Sequence, residues 1–516
     1  MRTATARPPM TQNQRRLGMA ACLLTIVLAL LDSNIVSAAA VPIVRELDPV
    51  HGVARLPWLV SAFALAATAA LPLYGKLCDV LGAKPVYLGA VATFLAGSAL
   101  CGVAQGMTQL IAFRAVQGIG AGGLMSVTMV VMAHLVDRRQ QGGNLGGLIG
   151  GFGMAIGPLL GGLIVDHTSW RWIFYLNLPL GLLVLVTATV VLRLPRQTER
   201  RRIDFAGAAM AAAFAVVLLL STEWGGDRYA WTSPVMLSLV GAAVALFGLF
   251  LWRQATAAEP ILPLSMFRIP TLRLSFAIQG LVGAAMMGAL IYLMVYLQVL
   301  RGLAASSAAL FLVPMALGLS FVGIVSGWLT ARGWSTKTFL VSGTATAAAA
   351  LGFLATLGAD TSLWLIRADL FLLGAGFGQL LGLLIAAVQQ AAPPTQLGVA
   401  TTSVRFFQNL GGALGAAISG SVLARVYAGR MPGETVGGLP QVAPELRLPA
   451  AHAYLAGLDA IFAVGCGVLL VALFLATLLR LPDPDTPGGP APRPTDGERP
   501  AQAGEPRPAS ASAVSP

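Results

Sequence analysis

The chain has 516 residues, of which 56% are hydrophobic and only 10% are charged. A soluble protein carries about a quarter charged residues, so this chain has too few polar groups to cover a water-facing surface. The composition excludes an ordinary soluble enzyme and predicts an all-α polytopic membrane protein. The net charge of +12 shows no basic face with interleaved aromatic residues, so no nucleic-acid partner is predicted.

The N-terminus resembles a signal peptide, because Arg15 and Arg16 precede an apolar run that ends near small residues. The run is longer than the 7–15-residue apolar core of a signal peptide, and it contains Asp32. We interpret residues 1–16 as a cytoplasmic segment that leads into a retained first membrane helix.

Further apolar segments of about 20 residues, the length that crosses a bilayer, follow along the chain. The predicted spans, fourteen in all, are 17–41, 57–77, 86–106, 108–133, 144–165, 170–193, 204–223, 233–253, 272–298, 307–329, 338–357, 362–388, 401–427 and 453–480. They predict a six-helix half (17–193), a basic linker with two extra helices (194–271) and a second six-helix half (272–480). Residues 481–516 are rich in proline and predict a disordered cytoplasmic tail.

The distribution of arginine and lysine predicts the orientation in the membrane. Most of these residues fall on the side of the two termini, and Arg405, near the start of the thirteenth span, is assigned to that side. Because cytoplasmic loops carry the excess of positive charge, we expect a multi-pass protein of the cell (inner) membrane with both termini in the cytoplasm.

Asp32 lies inside the first span, in LTIVLALLDSNIVSAAAVP. A charge at the bilayer centre costs about 2.5–3.5 kcal/mol on insertion scales, so an intramembrane carboxylate is a functional hypothesis by default. Arg114 opens the fourth span, and counting residues from the span ends places both groups at similar depth in the outer half.

Three glycine-containing patterns recur in the first half: GKLCDVLGAKPVYL from Gly75, RAVQGIGAGG from Arg114 and GMAIGPLLGG from Gly153. The second contains the spacing GxGxxG, but a dinucleotide fingerprint requires a strand and a soluble βαβ unit. Inside a membrane helix these glycines instead indicate close helix packing. In the third, Pro158 removes a backbone donor and favours a hinge over static packing.

Weaker copies of these patterns occur in the second half, in GWLTARGWSTK, RADLFLLGAGFG and NLGGALG. Two parallel six-helix repeats are typical of transporters that work by alternating access. The sequence as a whole resembles the major facilitator superfamily, and specifically its 14-helix drug:proton antiporter family. The resemblance is carried by the three patterns above together with LDSNIVSAAAVPIV and WRWIFYLNLPLG.

The resemblance implies a major-facilitator fold of two six-helix halves plus two central helices. It also implies conformational roles for the pattern residues, namely Gly75, Asp79, Gly82, Lys84, Gly153, Gly157, Pro158, Gly161 and Gly162. Val80 and Ala83 stand where the family has basic residues, which predicts a thinner charge network at the inner gate.

In the family the first and fourth helices face a central cavity. We therefore hypothesise that Asp32 and Arg114 face each other across that cavity and couple transport to protons. The alternative is a structural ion pair that fixes helix packing. Other polar or adaptable residues at mid-helix depth predict the substrate cavity, although each alone is more often ordinary packing: Gln117, Met125, Gln279, Met286, Tyr292, Tyr296, Gln379, Gln408 and Asn409.

The leading functional prediction is a proton-coupled efflux antiporter that exports amphipathic small molecules: drugs, antibiotics or a self-made metabolite. It needs no cofactor or metal, and the chain contains no GxxxxGK[ST] loop for ATP. We expect it to function as a monomer surrounded by membrane lipids. The sequence does not decide whether it also needs an accessory protein of the cell envelope. The alternatives are a proton-coupled carrier of another metabolite or lipid, and a non-transporting sensor. The sequence contains no pattern of residues typical of a catalytic site, so an enzyme is not predicted.

Overall fold

The computed structural model describes residues 10–48, 52–135, 168–194, 203–225, 229, 232–303, 307–308, 310–358, 360–431 and 447–481. Within these ranges the chain is helical, and the β-type pairing is one isolated bridge between Gly225 and Tyr229. The predicted fifth span, 144–165, lies outside the described residues.

The first half begins where Thr11 caps the first helix through a reciprocal pair of bonds with Gln14. Its helices are α1 (Gln12–Ala38), α2 (Ala40–Leu47), α3 (Gly52–Leu81), α4 (Ala83–Gly102), α5 (Met107–Leu135), α6 (Trp172–Tyr175) and α7 (Asn177–Val191). The predicted first span thus divides into a long helix and the short helix α2, with a turn at Ala39.

The remainder consists of a helix pair and a second half. The pair is α8 (Phe205–Trp224) and α9 (Pro234–Thr256). The second half contains α10 (Pro270–Val295), α11 (Leu312–Ala331), α12 (Thr336–Leu354), α13 (Leu363–Ala391), α14 (Leu397–Arg430) and α15 (Arg447–Leu478).

Thirteen segments of the described chain are long and apolar enough to cross a membrane, and each matches a predicted span. Large apolar side chains cover their outer surfaces, as Phe321 (63% exposed) and Trp364 (75% exposed) illustrate. Such surfaces are stable against lipid and not against water. The prediction of an all-α, multi-pass membrane protein is confirmed.

Glycines bring the helices of each half into close contact. In α5, Gly118 and Gly122 face α3 and Gly120 faces α4, and a Cβ at any of them would meet backbone atoms of those helices. We call these three residues the α5 triplet. In α13, Gly374 and Gly378 meet α11 while Gly376 meets α12, and these form the α13 triplet. The packing interpretation of RAVQGIGAGG is confirmed.

The extra helices α8 and α9 are joined by an ion pair. Arg253 donates from Nε and an Nη nitrogen to the Asp204 carboxylate, with distances of 2.9–3.1 Å. Burial alone would raise the pKa of Asp204, but the hydrogen bonds from Arg253 and the Gly207 N–H outweigh it, and the pKa is lowered. Ala215 of α8 packs with Leu71 of α3 and Phe406 of α14, so this helix contacts both halves.

Candidate functional site

Asp32 and Arg114 form a buried ion pair. The Arg114 Nη1 nitrogen lies 2.6 Å from Asp32 Oδ2, and the two side chains are 1% and 0% exposed. The hypothesis placed them on opposite walls of a cavity. In this conformation they are instead in direct contact, because α1 packs against α5 at this depth.

Two amides complete the coordination of the carboxylate. Gln117 Nε2 donates to Asp32 Oδ1 over 2.7 Å, and Asn177 Nδ2 donates to the same oxygen over 2.8 Å. Both amides also donate to Ser98 Oγ, which itself donates to the carbonyl of Phe174. The polar network therefore joins α1, α4, α5, α6 and α7.

The guanidinium of Arg114 is held by more than its counter-ion. Its Nε donates to the Leu59 carbonyl over 3.2 Å, and Nη1 also donates to Gln117 Oε1 over 2.8 Å. The Phe63 ring lies 4.0 Å from the guanidinium carbon, a favourable cation–π distance. A buried ion pair is stable only with such additional bonds, since both charges have lost their water.

An apolar cluster covers the network toward the predicted outer side. It includes Val36, Ile43, Leu59, Trp170 and Phe174. Water reaches Asp32 from that side only if these side chains separate.

Polar contacts of Glu46 with Trp170 and Arg171, which we call the clasp, hold this apolar cluster together. Trp170 Nε1 donates to Glu46 Oε2 over 2.7 Å, and Arg171 donates to the other oxygen of Glu46 and, over 3.0 Å, to the Ala104 carbonyl. The hydrogen bond from Arg171 lowers the pKa of Glu46. The clasp therefore stays ionised near neutral pH and holds α2 over the loop that leads into α6.

The other predicted cavity residues are distributed over the second half and α5. Gln379 accepts from Ser342, Gln408 accepts from Arg405, and Asn409 Nδ2 donates to Thr68 Oγ1 of α3 over 2.9 Å. The remaining members pack against apolar cores or lie buried in α10: Met125, Met286, Tyr292 and Gln279.

Tyr296 is fully buried and fixes the end of α10. Its hydroxyl donates to the Gly358 carbonyl and accepts from Arg301. Among the hydrogen bonds of the described residues, Gln117 is the one predicted cavity residue that joins Asp32 and Arg114. The cavity as a whole stays a prediction.

The conformational residues at the predicted cytoplasmic end connect the halves. Asp79 accepts from the Gly398 and Val399 N–H groups over 2.7 and 2.9 Å, at the start of α14. Gly75 lies beneath Thr402, with no room for a Cβ. Gly82 turns the chain at φ +88°, a conformation that favours glycine.

Two lysines flank this contact. Lys84 donates to the carbonyls of Thr189 and Leu192 at the end of α7. Lys76, only 5% exposed, pairs with Glu259 over 2.7 Å in the segment after α9. Gly153, Gly157, Pro158, Gly161 and Gly162 lie outside the described residues.

Comparison with known proteins identifies the family. A model of the Major Facilitator Superfamily matches residues 22–416. The chain belongs to the Major Facilitator Superfamily. The multidrug transporter protein MdtP of Bacillus subtilis is 34% identical over 416 residues, covering 80% of this chain and 76% of that protein. Multidrug resistance protein 3 of the same organism is 30% identical over 411 residues, covering 79% and 80%.

Solved structures agree on the fold. The crystal structure of the human organic anion transporter MFSD10 matches with a TM-score of 0.62 and 17% identity, covering 91% of this chain and all of that one. The chain is thus a major-facilitator transporter with multidrug-transporter relatives, which makes an enzyme unlikely.

Three polar residues of this major-facilitator chain were not singled out from the sequence. Asn177 and Ser98 complete the Asp32 network, and a polar residue inside an otherwise apolar span was the available signal. Arg405 was assigned to the cytoplasmic side, but α14 begins at Leu397, eight residues earlier. At 1.5 Å per residue it lies about 12 Å inside the helix.

Proposed function

We propose that the protein is a proton-coupled antiporter that exports amphipathic small molecules across the cell membrane by alternating access, with both termini in the cytoplasm. The observation that supports this proposal is the enclosed pair of Asp32 and Arg114, an ionisable contact inside the membrane-spanning helices. Intramembrane ionisable groups that face the interior of a helix bundle mark ion and proton pathways.

The chemistry of the network suggests how a proton would act. Each group that contacts the Asp32 carboxylate donates an N–H to it. A proton on either oxygen would neutralise the charge that these three donors stabilise and would weaken their hydrogen bonds. Since the partners come from α5 and α7, uptake of a proton would loosen α1 from its neighbours, and re-formation of the ion pair would expel the proton.

The exported compound is proposed from the relatives. MdtP and Multidrug resistance protein 3 are named as multidrug transporters, and each aligns with about four-fifths of this chain. By this similarity we infer that the substrates are several small molecules with apolar bodies, antibiotics among them. The proton gradient would supply the energy, so no cofactor is required.

The test is dye efflux from proteoliposomes with an imposed pH gradient, comparing the wild type with Asp32→Asn. Rhodamine 6G and carboxyfluorescein serve as amphipathic probes. We expect the wild type to accumulate or expel dye according to the gradient, and Asp32→Asn to lose at least about 100-fold of that flux, since the pathway loses its protonatable group.

A matched control is Asp360→Asn, because Asp360 is exposed in the turn before α13. It should transport as the wild type does. Equal gradient-driven flux in the wild type and Asp32→Asn would refute proton coupling at Asp32. A wild type that binds dye without any flux under either gradient would favour the sensor alternative.

A further inference from the structure

The second half contains a half-buried cation that the ion-pair network does not use. Arg405 is half-buried in α14, and its Nη1 donates to Gln408 Oε1 over 3.2 Å. Its Nε is enclosed and has no hydrogen-bond partner. A guanidinium carries five N–H donors, and within the described residues no carboxylate pairs with this one.

Helix geometry directs Arg405 toward the space between the halves. Gly398 and Thr402 precede it by seven and three residues and Asn409 follows it by four, spacings that place all of them on one face of α14. The other three all contact α3. Gly398 donates its N–H to Asp79, Thr402 packs against Gly75, and Asn409 donates to Thr68.

The nearby carboxylates are already engaged. Asp79 binds the first N–H groups of α14, and Glu259 binds Lys76. Asp32 is saturated by Arg114 and two amides. These three carboxylates therefore have partners, whereas Arg405 has no carboxylate partner among the described residues.

Unpartnered polar atoms accompany this cation. Gln279 of α10 is fully buried, and neither its Nε2 nor its Oε1 has a partner. One turn later, Gly283 packs directly against the backbone of Gln408, so the amide lies at the level of the Arg405 contact.

We infer that Arg405, Gln408 and Gln279 form a subsite for the acidic group of an amphipathic organic anion. Guanidinium is suited to this task, since its planar donors match carboxylate, sulfonate or phosphate oxygens. This inference rests on the proposed export function and narrows its substrate class to anions or zwitterions.

Two dyes with the same xanthene core but opposite charge test the inference. Binding of carboxyfluorescein (anionic) and rhodamine 6G (cationic) is measured by fluorescence anisotropy on protein in phosphatidylcholine nanodiscs, and flux is measured in proteoliposomes. In Arg405→Gln we expect carboxyfluorescein affinity and flux to fall at least about tenfold, as loss of a charge-assisted pair requires. Rhodamine 6G transport should be unchanged.

Two further variants separate charge from structure. Arg405→Lys keeps the charge and should retain part of the carboxyfluorescein binding. Arg425→Gln makes the same change at an exposed position of α14 and should bind both dyes as the wild type does. Equal loss of both dyes in Arg405→Gln, or a wild type that fails to bind carboxyfluorescein, would overturn the inference.

The headgroup of an anionic lipid could supply the same acidic group to the Arg405 subsite. Adding phosphatidylglycerol to the nanodiscs distinguishes it: if this lipid abolishes carboxyfluorescein binding to the wild type, the subsite belongs to a headgroup and the assignment to an exported anion is wrong. Arg405-dependent dye binding without gradient-driven flux would instead reject proton-coupled export and leave the anion subsite standing.

Discussion

The two halves of the molecule are built on the same glycine frame but differ at its polar end. Arg114 precedes the α5 triplet by four residues, and the residue four before the α13 triplet is Leu370. In the same way Gln117 corresponds to Leu373. Arg114 and Gln117 of the first half are thus replaced by fully buried leucines in the second.

This difference separates packing from chemistry. In both halves the triplet meets the same two neighbouring helices by position, α3 and α4 or α11 and α12. The second half therefore shows that close packing of these helices requires neither an arginine nor an amide at these two positions. A costly ion pair that packing does not need is better explained by a role in the transport cycle.

The largest change in stability is expected when Arg114 is replaced by leucine, the residue at the corresponding position of the second half. Arg114→Leu would leave Asp32 buried without its counter-ion and should lower the free energy of unfolding by about 3–5 kcal/mol. Chemical unfolding of the purified protein in detergent measures this change. The double variant Asp32→Leu/Arg114→Leu should recover most of the stability and still show no gradient-driven flux.

If the double variant is as unstable as Arg114→Leu alone, the network is needed for helix packing, and the conclusion drawn from comparing the two halves is wrong. A double variant that still transports with the gradient would remove Asp32 from the coupling mechanism.

The shared frame predicts a symmetric effect of moderate size. Gly120→Ala and Gly376→Ala each place a methyl group against the backbone of the neighbouring helix. Overpacking of this kind costs about 1–3 kcal/mol, and we expect similar losses in the two halves by the same unfolding assay. Gly89→Ala, where a Cβ meets nothing within 4 Å, is the control and should be neutral or stabilising. Strongly unequal losses would mean that the two triplets are not equivalent.

The smallest effect concerns a second asymmetry, in the loops that turn at Gly82 and Gly333. Both glycines have positive φ, but only the first loop contains a carboxylate, Asp79. Asp79→Asn removes the charge that holds the start of α14, worth about 1 kcal/mol, and should separate α3 from α14 more often.

Cys78 reports this separation, because its thiol is buried next to Gly398. In a background where Cys22, Cys101 and Cys466 are serine, N-ethylmaleimide should label Cys78 several-fold faster in Asp79→Asn. Asp360→Asn, at an exposed position in the turn before α13, should leave the labelling rate unchanged. No acceleration in Asp79→Asn would show that this contact does not hold the halves together.

The helices were predictable because apolar length alone specifies a membrane span, and depth counting correctly placed Asp32 level with Arg114. The helix faces were not predictable. Spans such as α4 and α7 are apolar around most of their circumference, so the sequence does not indicate that Asn177 contacts the carboxylate or that Ser98 contacts both amides. The helix α14 begins at Leu397, four residues before the predicted span, because Gly398 and the polar residues that follow from Thr401 weaken the apolar signal there.

The pair of Lys76 and Glu259 has a consequence for anyone who would shorten this protein to twelve spans. Excising residues 194–271 would remove Glu259 and strand a nearly enclosed ammonium group at the contact between the halves. The central helices are therefore not a detachable insert. A twelve-span version would have to replace Lys76 with a neutral residue in the same step. The yield of folded protein with and without that replacement would measure how much the pair of Lys76 and Glu259 contributes to stability.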